Sequence, residues 1–373
     1  MHSFPRAPGE ITVEWLARAL REAGALGDAV IASTTVEAIG DLGGVNGETY
    51  RVLIEYVGSA VEAPRSVVAK FPADRPGARG VASFQRWYER EVSFYRTLAA
   101  GIAETSAIRT PRCYAASIDL AGDRPGDYVL LLEDLHPRTQ GDQIAGCTVE
   151  EACAAIEAAA ALHARWWDAP PPVSDALPET TIGLDRAERV QGALARVWER
   201  TRDLMPMRAS VAARIPVLVE GYVPLLRRMV SAPVTVVHGD YRIDNLFFDE
   251  RAPGRAPGHL EVTAIDWQFV CRCRGMYDIG YFLGLDLEPE VRRAHERALI
   301  GIYVEALRAR GVEGYEAAQA WDDYRRALLL GFAVFLISAA GEQPNTRMVR
   351  VHEVGLARLA AAIEDTDAFE VLE

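Results

Sequence analysis

The sequence predicts an α+β protein that has a β-rich N-terminal lobe followed by a mainly helical C-terminal lobe. Short β-branched runs separated by Gly, Pro and Asn are concentrated before residue 132, which is typical of antiparallel strands. After Pro137 the apolar residues recur with helical spacing instead. The 373 residues are enough for about two or three structural units. We expect one lobe at 1–135, which includes a connection near 133–135, and a second lobe at 136–373.

The first lobe begins with a helix over 12–23, because Leu16 and Leu20 share one side with Trp15 and Gly24 follows the last periodic residue. Alternating or β-branched runs then predict an antiparallel meander. Its strands are expected at 36–39, 50–57, 66–71 and 128–133.

A helix over 81–99 interrupts the meander, because bulky apolar side chains recur there along one helical stripe. The stripe consists of Phe84, Trp87, Tyr88, Tyr95 and Leu98. On a helical wheel Glu91 lies about 20° from Phe84, whereas Glu89 is displaced by about 140°. We therefore expect Glu91 to be buried.

The second lobe opens with a helix from the capping box Thr148 to Glu151 to about residue 167. A proline-rich loop follows over 168–182. The later elements are expected to be helices at 184–201 and 211–229, a strand at 234–237, a hairpin with strands at 246–248 and 260–265, and helices over 289–362.

Composition argues against several classes of protein. The net charge is 40 − 53 = −13, and nucleic acids and anionic lipids both favour basic partners. The longest apolar run, 327–340, is shorter than the roughly 20 residues that span a bilayer, and residues 1–9 lack a signal-peptide core. Five cysteines without a CxxC pair favour a reduced, cytoplasmic protein. We expect no nucleic-acid or membrane partner.

The residues that carry chemistry lie between His238 and Asp266. An apolar strand leads into His238 and Asp240, Asn245 follows five positions later, and the predicted hairpin returns the chain to Asp266. Phosphoryl transfer needs a carboxylate to accept the proton of the attacking hydroxyl and oxygen ligands for Mg²⁺. Asp240 suits the first role, and Asn245 with Asp266 suits the second. An Asp- and Asn-rich turn between strands is the alternative, but it does not explain Asp266.

This segment resembles the HxDxxxxN motif of the aminoglycoside phosphotransferase and choline kinase-like superfamily of small-molecule kinases, close to its ecdysteroid-kinase-like branch. The resemblance implies a protein-kinase-like bilobal fold, ATP and Mg²⁺ as cofactors, and a small-molecule hydroxyl acceptor. It also implies that Asp240 is the catalytic base and that Asn245 and Asp266 bind the metal. Gly239 stands where the protein-kinase loop has arginine, and Trp267 follows the metal aspartate, so a protein kinase is disfavoured.

The N-terminal lobe offers an independent test of this interpretation. Lys70 ends the run Val67-Val68-Ala69-Lys70 within the strand expected at 66–71, and it is the only lysine among the 40 basic residues. A kinase needs a strand-borne cation for the α/β-phosphates and a helix-borne carboxylate to hold that cation. Because an unpaired buried charge is expensive, Lys70 is the expected partner of Glu91. In the resembling family a lysine-glutamate pair occupies these places.

Two further nucleotide contacts are expected. The segment 40–49 contains Gly43 and Gly44 and could bring backbone N–H groups to phosphates, although a turn without a ligand fits equally well. By resemblance, the strand end from Glu133 to Leu135 is the hinge that receives adenine. An ordinary edge strand is equally consistent with those side chains.

Three polar residues are expected to be structural. His163 lies on an alanine-rich helix face and is expected to be a hydrogen-bonded core residue. Asp278 matches a family aspartate that braces the catalytic loop. His238 is expected to orient that loop through hydrogen bonds.

The sequence thus predicts an ATP- and Mg²⁺-dependent small-molecule kinase. One alternative is a metal-dependent hydrolase in which His238, Asp240 and Asp266 bind one ion, and another is a non-catalytic nucleotide-binding module. The acceptor would be selected by residues within 166–205 and 322–342. The negative charge favours a cationic acceptor, whereas the Trp and Leu content of those segments favours an apolar one.

Overall fold

The computed structural model describes residues 4–39, 47–58, 60–105, 107–121, 125–202, 207–250, 260–341, 343 and 345–372. It divides into two compact units. The first consists of Met1–Ala100 and Thr110–Pro137, and the second of Gly101–Arg109 and Arg138–Glu373.

The strands are short, as the turn-rich sequence requires. They are β1 (Ile31–Ala38), β2 (Gly47–Tyr56), β3 (Ser66–Pro72), β4 (Ile108–Arg109), β5 (Cys113–Ile118), β6 (Tyr128–Glu133), β7 (Thr139–Gln140), β8 (Thr235–Val237), β9 (Leu246–Asp249), β10 (Glu261–Ala264) and β11 (Cys271–Cys273).

Most helices lie after β7. The helices are α1 (Val13–Glu22), α2 (Pro76–Phe84), α3 (Trp87–Thr97), α4 (Ala99–Ala103), α5 (Val149–Arg165), α6 (Ala187–Thr201), α7 (Ala209–Ala212), α8 (Ile215–Met229), α9 (Met276–Asp286), α10 (Pro289–Arg308), α11 (Ala317–Ala339) and α12 (Thr346–Asp365). No helix in the described ranges is long and apolar enough to cross a membrane.

The first unit is built on an antiparallel sheet of order β1-β2-β3-β6-β5. Side chains alternate along β3, so Val67, Ala69 and Phe71 are buried in the core while Lys70 faces the opposite side of the sheet. Helix α1 packs on the sheet through Leu16 and Leu20, and its N-cap is the Thr12 side chain, which accepts the N–H of Trp15.

The single helix predicted over 81–99 is wrong, because the structure has two helices there. Arg86 separates α2 from α3 and adopts a left-handed conformation with φ 59°. Phe84 therefore does not share the buried stripe and is 59% exposed. Glu91 is buried as expected, because Tyr88 and Tyr95 lie within one turn of it on the same face of α3.

The second unit combines two small sheets with helices. Strands β8 and β11 pair with each other, and the other sheet has the order β4-β10-β9-β7. The predicted hairpin is confirmed, because β9 and β10 pair in antiparallel register. The capping box at Thr148 and Glu151 is also confirmed at the start of α5. A β-rich first part and a helical remainder confirm the predicted fold class.

Residues 101–109 belong to the second unit, although the sequence analysis assigned them to the first lobe. The physical reason is strand pairing, since Ile108 and Arg109 run parallel to Val262 and Thr263 of β10. An ion pair of 2.9 Å between Arg109 and Glu261 reinforces this attachment.

Candidate active site

A carboxylate of α9 holds the loop that follows β8. Asp278 accepts the backbone N–H of His238 at 2.7 Å and that of Gly239 at 2.9 Å. It also lies 3.2 Å from Nε2 of His163, whose Nδ1 is 2.8 Å from the hydroxyl of Tyr303. The predictions that Asp278 braces the loop and that His163 is a hydrogen-bonded core residue are confirmed.

The ring of His238 is held by backbone groups on both sides. Its Nε2 lies 2.8 Å from the carbonyl oxygen of Ile265, which can only accept, so Nε2 carries the proton. Its Nδ1 accepts the backbone N–H of Asp240 at 3.3 Å. The predicted orienting role is confirmed, and neither ring nitrogen is left to bind a metal ion.

Asp240 and Asn245 lie in direct contact. The side-chain nitrogen of Asn245 donates to the backbone carbonyl of Asp240 at 2.9 Å and to its carboxylate at 2.9 Å. Both residues are nearly buried, with 9% and 5% exposure. These two hydrogen bonds involve the amide nitrogen of Asn245 and not its amide oxygen. An amide oxygen is a ligand type that Mg²⁺ accepts.

Asp266 follows the last strand of the hairpin. The backbone N–H of Ile265 donates to the carbonyl of Asn245 at 3.0 Å. This hydrogen bond links one predicted metal ligand, Asn245, to the residue that precedes the other, Asp266. Asp266 adopts a left-handed conformation with φ 66°, which an aspartate tolerates better than most residues. Trp267 is buried and donates its indole N–H to Ala264 at 3.1 Å, which anchors the turn.

Asn245 and Asp266 offer one carboxylate and one amide oxygen. Within the described residues no cluster of three or more His, Cys, Asp or Glu side chains could hold a metal ion by itself. Mg²⁺ in nucleotide sites commonly takes one or two protein ligands and completes its shell with phosphates and water. The donor set therefore fits a nucleotide-bound Mg²⁺ better than a resident ion.

Arg242 supplies a buried cation beside Asp240, which the sequence analysis did not identify. Its Nε donates to the Asp240 carboxylate at 3.3 Å, and its Nη1 donates to Asp244 at 3.1 Å. Burial alone would lower the pKa of Arg242, but the two aspartates raise it above its usual value. Arg242 therefore places a guanidinium directly against the Asp240 carboxylate. The alternation of Asp and Arg from 240 to 244 was the available signal.

A second α9 carboxylate, Asp286, was also missed. It lies two turns after Asp278, is fully buried, and accepts the backbone N–H of Ile243 at 2.9 Å. Burial raises the pKa of Asp286 well above its usual value, and the Ile243 N–H, Arg242 and Arg358 offset only part of this effect. Asp278 and Asp286 are eight residues apart on one helix, a spacing that places both on the same broad face. This spacing was the signal in the sequence.

In the first unit, Lys70 and Glu91 form the expected pair. The Nζ of Lys70 lies 2.6 Å from Oε1 of Glu91, and Glu91 is 2% exposed. Lys70 pairs with Thr49 of β2 and Leu130 of β6, which places it on the central strand of the sheet.

The predicted hinge is an ordered strand end. Leu135 is buried, and the Glu133 side chain accepts the backbone N–H of Arg112 at 3.1 Å. Between them, Asp134 binds Arg51 at 2.6 Å. Burial alone would raise the pKa of Asp134, but hydrogen bonds from Arg51 and Ser66 hold it below its usual value. Gly43 and Gly44 lie outside the described residues.

The chain matches a protein-family model. The model of the ecdysteroid kinase-like family matches residues 45–166 and 180–311, which is more than half of the chain. All the candidate site residues except Gly43 and Gly44 fall within the matched residues. No curated protein sequence matches this chain.

Several solved structures share the fold. A provisionally assigned aminoglycoside phosphotransferase from Ralstonia eutropha JMP134 has TM-score 0.54 and 14% identity, covering 95% of this chain and 98% of that chain. A microcompartment-associated aminopropanol kinase has TM-score 0.53 and 16% identity, covering 95% and 99%. A choline kinase from Cryptosporidium parvum Iowa II has TM-score 0.51 and 9% identity, covering 96% and 95%. The predicted resemblance to this superfamily is confirmed.

Proposed function

Because this chain belongs to the ecdysteroid kinase-like family, we propose that it transfers the γ-phosphate of ATP to a hydroxyl group of a small organic molecule. The observation that carries the proposal is the contact between Asp240 and Asn245, with Asp266 joined to Asn245 through Ile265. This arrangement combines an oriented carboxylate with two oxygen ligands for a hard cation.

Asp240 is the proposed catalytic base. Its carboxylate accepts a hydrogen bond from Asn245 and another from the Arg242 guanidinium, so it is held in one position. An acceptor hydroxyl that donates to this carboxylate would be aligned for attack. Its proton would pass to Asp240 as its oxygen bonds to the γ-phosphorus and the bond from that phosphorus to the departing ADP breaks.

Asn245 and Asp266 are the proposed ligands of Mg²⁺. When bound, the ion neutralises charge on the nucleotide phosphates. His238 keeps Asp266 in place indirectly, because its Nε2–H holds the carbonyl of the preceding Ile265. The same hydrogen bonds count against the hydrolase alternative, since that site would need a ring nitrogen of His238.

Lys70 is the proposed contact to the α/β-phosphates, and Glu91 is the carboxylate that holds it in place. Glu133 and Leu135 are proposed to flank adenine through the backbone at the hinge, and Gly43 and Gly44 to approach the phosphates. All five cysteines are free, which supports a reducing, cytoplasmic location.

The test is ATP consumption measured with Mg²⁺ over a panel of hydroxylated small molecules. We expect the wild type to phosphorylate at least one acceptor, and Asp240→Asn to lower kcat by at least about a hundredfold with nucleotide binding nearly unchanged. Asp28→Asn, at an exposed position of the first unit, is the matched control and should retain activity.

Three results would contradict the proposal. Comparable turnover of Asp240→Asn would remove the base assignment. Metal-dependent hydrolysis without nucleotide would favour the hydrolase. Nucleotide binding without transfer to any acceptor would favour a non-catalytic module.

A further inference from the structure

A small cavity in the second unit shares a wall with the catalytic loop. Cys271 of its lining pairs with Val237, which directly precedes His238. On the same wall Thr181 packs against Gly239, since a Cβ added to that glycine would lie 3.0 Å from the Thr181 methyl. The cavity therefore adjoins the loop that carries Asp240.

The cavity is lined by both segments that the sequence analysis assigned to acceptor selection. Thr180 and Thr181 come from 166–205, and Leu330 comes from 322–342. Helices α8 and α9 contribute Tyr222 and Tyr277.

Two hydroxyl groups at this cavity have no hydrogen-bond partner among the described residues. They are Oγ1 of Thr180 and the phenolic hydroxyl of Tyr222. Thr180 is 4% exposed and Tyr222 is fully buried. Burial raises the pKa of Tyr222 above its usual value, so its hydroxyl stays protonated and remains a donor. Leaving a buried hydroxyl without a hydrogen bond is unfavourable, so two of them at one cavity indicate a ligand group that bonds to them.

Thr180 also has a strained backbone. Its φ is 65°, a conformation that β-branched residues rarely adopt, and its N–H donates to the carbonyl of Arg272 at 3.1 Å. The contact with Arg272 holds the residue in this conformation. Strain of this kind persists where surrounding structure enforces it, and it is concentrated at ligand sites.

The cavity has room for about one water-sized group, and none of the described residues that line it carries a formal charge. An ammonium or carboxylate placed there would be buried without a counter-charge, which is expensive. A hydroxyl or carbonyl group fits both the size and the two unsatisfied hydroxyls.

We propose that this cavity receives a neutral oxygen group of the phosphoryl acceptor, so that the acceptor is an uncharged molecule with a second hydroxyl or carbonyl on an apolar frame. The inference rests on the proposed function, because it assigns the cavity to the acceptor. It decides between the cationic and apolar acceptors that the sequence left open.

The test uses four probes that share one ring: cyclohexane-1,4-diol, 4-methylcyclohexanol, 4-aminocyclohexanol and 4-hydroxycyclohexanecarboxylate. Binding is measured by calorimetry with the full chain carrying Asp240→Asn, which removes the proposed base but not the cavity. We expect the diol to bind most tightly. Adding Tyr222→Phe should weaken the diol about three- to tenfold and leave the methyl analogue unchanged, as loss of one neutral hydrogen bond predicts.

Tyr324→Phe is the matched control, because it removes a buried phenol of the same unit whose hydroxyl binds Glu296 at 2.9 Å. It should lower stability without changing the binding of the diol. Thr180→Val provides a second variant at the cavity, and it should also weaken the diol.

The inference is overturned if a charged probe binds as tightly as the diol, if no probe binds, or if Tyr222→Phe leaves diol binding unchanged. The last result would mean that the two hydroxyls bind only a water molecule. Phosphorylation of an amino alcohol by the wild type would overturn this inference but keep the proposed function. Diol binding that depends on Tyr222, without transfer to any acceptor, would support this inference and contradict the proposed function.

Discussion

The carboxylate of Asp278 lies 2.9 Å from the backbone nitrogen of Gly239 and accepts its N–H. Gly239 can point this N–H at Asp278 because its φ is 84°, a left-handed conformation that other residues adopt only with strain. The space around it is equally restrictive, since a Cβ would lie 2.2 Å from the carbonyl oxygen of Phe269. The position before Asp240 is therefore reserved for glycine by both conformation and packing.

We expect Gly239→Ala to displace the loop, lower the free energy of unfolding by about 1–3 kcal/mol, and reduce kcat by at least about tenfold. Thermal unfolding and steady-state kinetics with ATP measure the two effects. Gly80→Ala is the control, because Gly80 lies on the exposed side of α2 with nothing within 4 Å of an added Cβ. Full activity of Gly239→Ala would contradict the role given to this glycine.

Patterns that depend on neighbouring residues were predictable from the sequence, and those that depend on distant contacts were not. The capping box at Thr148 and the strand carrying Lys70 follow from local spacing. The break at Arg86 does not, because an arginine in a left-handed conformation leaves no mark in the periodicity. Likewise β4 is only two residues long and exists because it pairs with β10, more than 150 residues later.

The candidate site shows the same division. Asp240, Asn245 and Asp266 were predicted from a short motif and a hairpin, and the structure shows contacts between the segments that carry them. Arg242 and Asp286 were missed, because their roles come from burial and from tertiary contacts. The orphaned hydroxyls of Thr180 and Tyr222 could not be recognised without a structure, since being unsatisfied is a property of the surroundings.

A pH-dependent prediction follows from Asp286. Its pKa is raised far above the ordinary value by burial, so between the unfolded and folded pKa values the folded state holds a proton that the unfolded state releases. Stability of the wild type should therefore fall as pH rises through that window. Asp286→Asn keeps an oxygen for the N–H of Ile243 and cannot ionise. Its stability relative to wild type should rise from pH 5 to pH 8, as measured by urea unfolding.

Asp278→Asn is the matched comparison on the same helix. Its carboxylate accepts two backbone N–H groups, and an amide has only one oxygen to offer them. This variant should lose stability at both pH values. If Asp286→Asn were instead destabilised more at pH 8 than at pH 5, the protonated state of Asp286 would be wrong.

The proposed metal ligands should differ in importance. Asp266 carries a charge and Asn245 does not, and hard cations gain most from anionic oxygen. We expect Asp266→Ala to abolish the Mg²⁺ dependence of nucleotide binding, and Asn245→Ala to weaken it by a smaller factor. Nucleotide titrations with and without Mg²⁺ compare the two, and Gln268→Ala is a control that removes only the donor to Asp266. Unchanged Mg²⁺ dependence in Asp266→Ala would remove that ligand from the proposal.

Lys70 is the only lysine of the chain. Arginine supplies the other 39 of the 40 basic residues, yet the pair with Glu91 uses the compact ammonium of Lys70 at 2.6 Å. A guanidinium is broad and planar and fits poorly into a point contact between a carboxylate and a phosphate. We expect Lys70→Arg to lower kcat/KM for ATP by about tenfold or more with little change in Tm, and Glu91→Gln to lower it less, because the cation remains. Arg65→Lys, at an exposed position just before the same strand, is the reverse exchange and should leave both quantities unchanged. If the activity of Lys70→Arg equalled that of the wild type at saturating and at low ATP, the position would not require lysine. The proposed phosphate contact would then lose its main support.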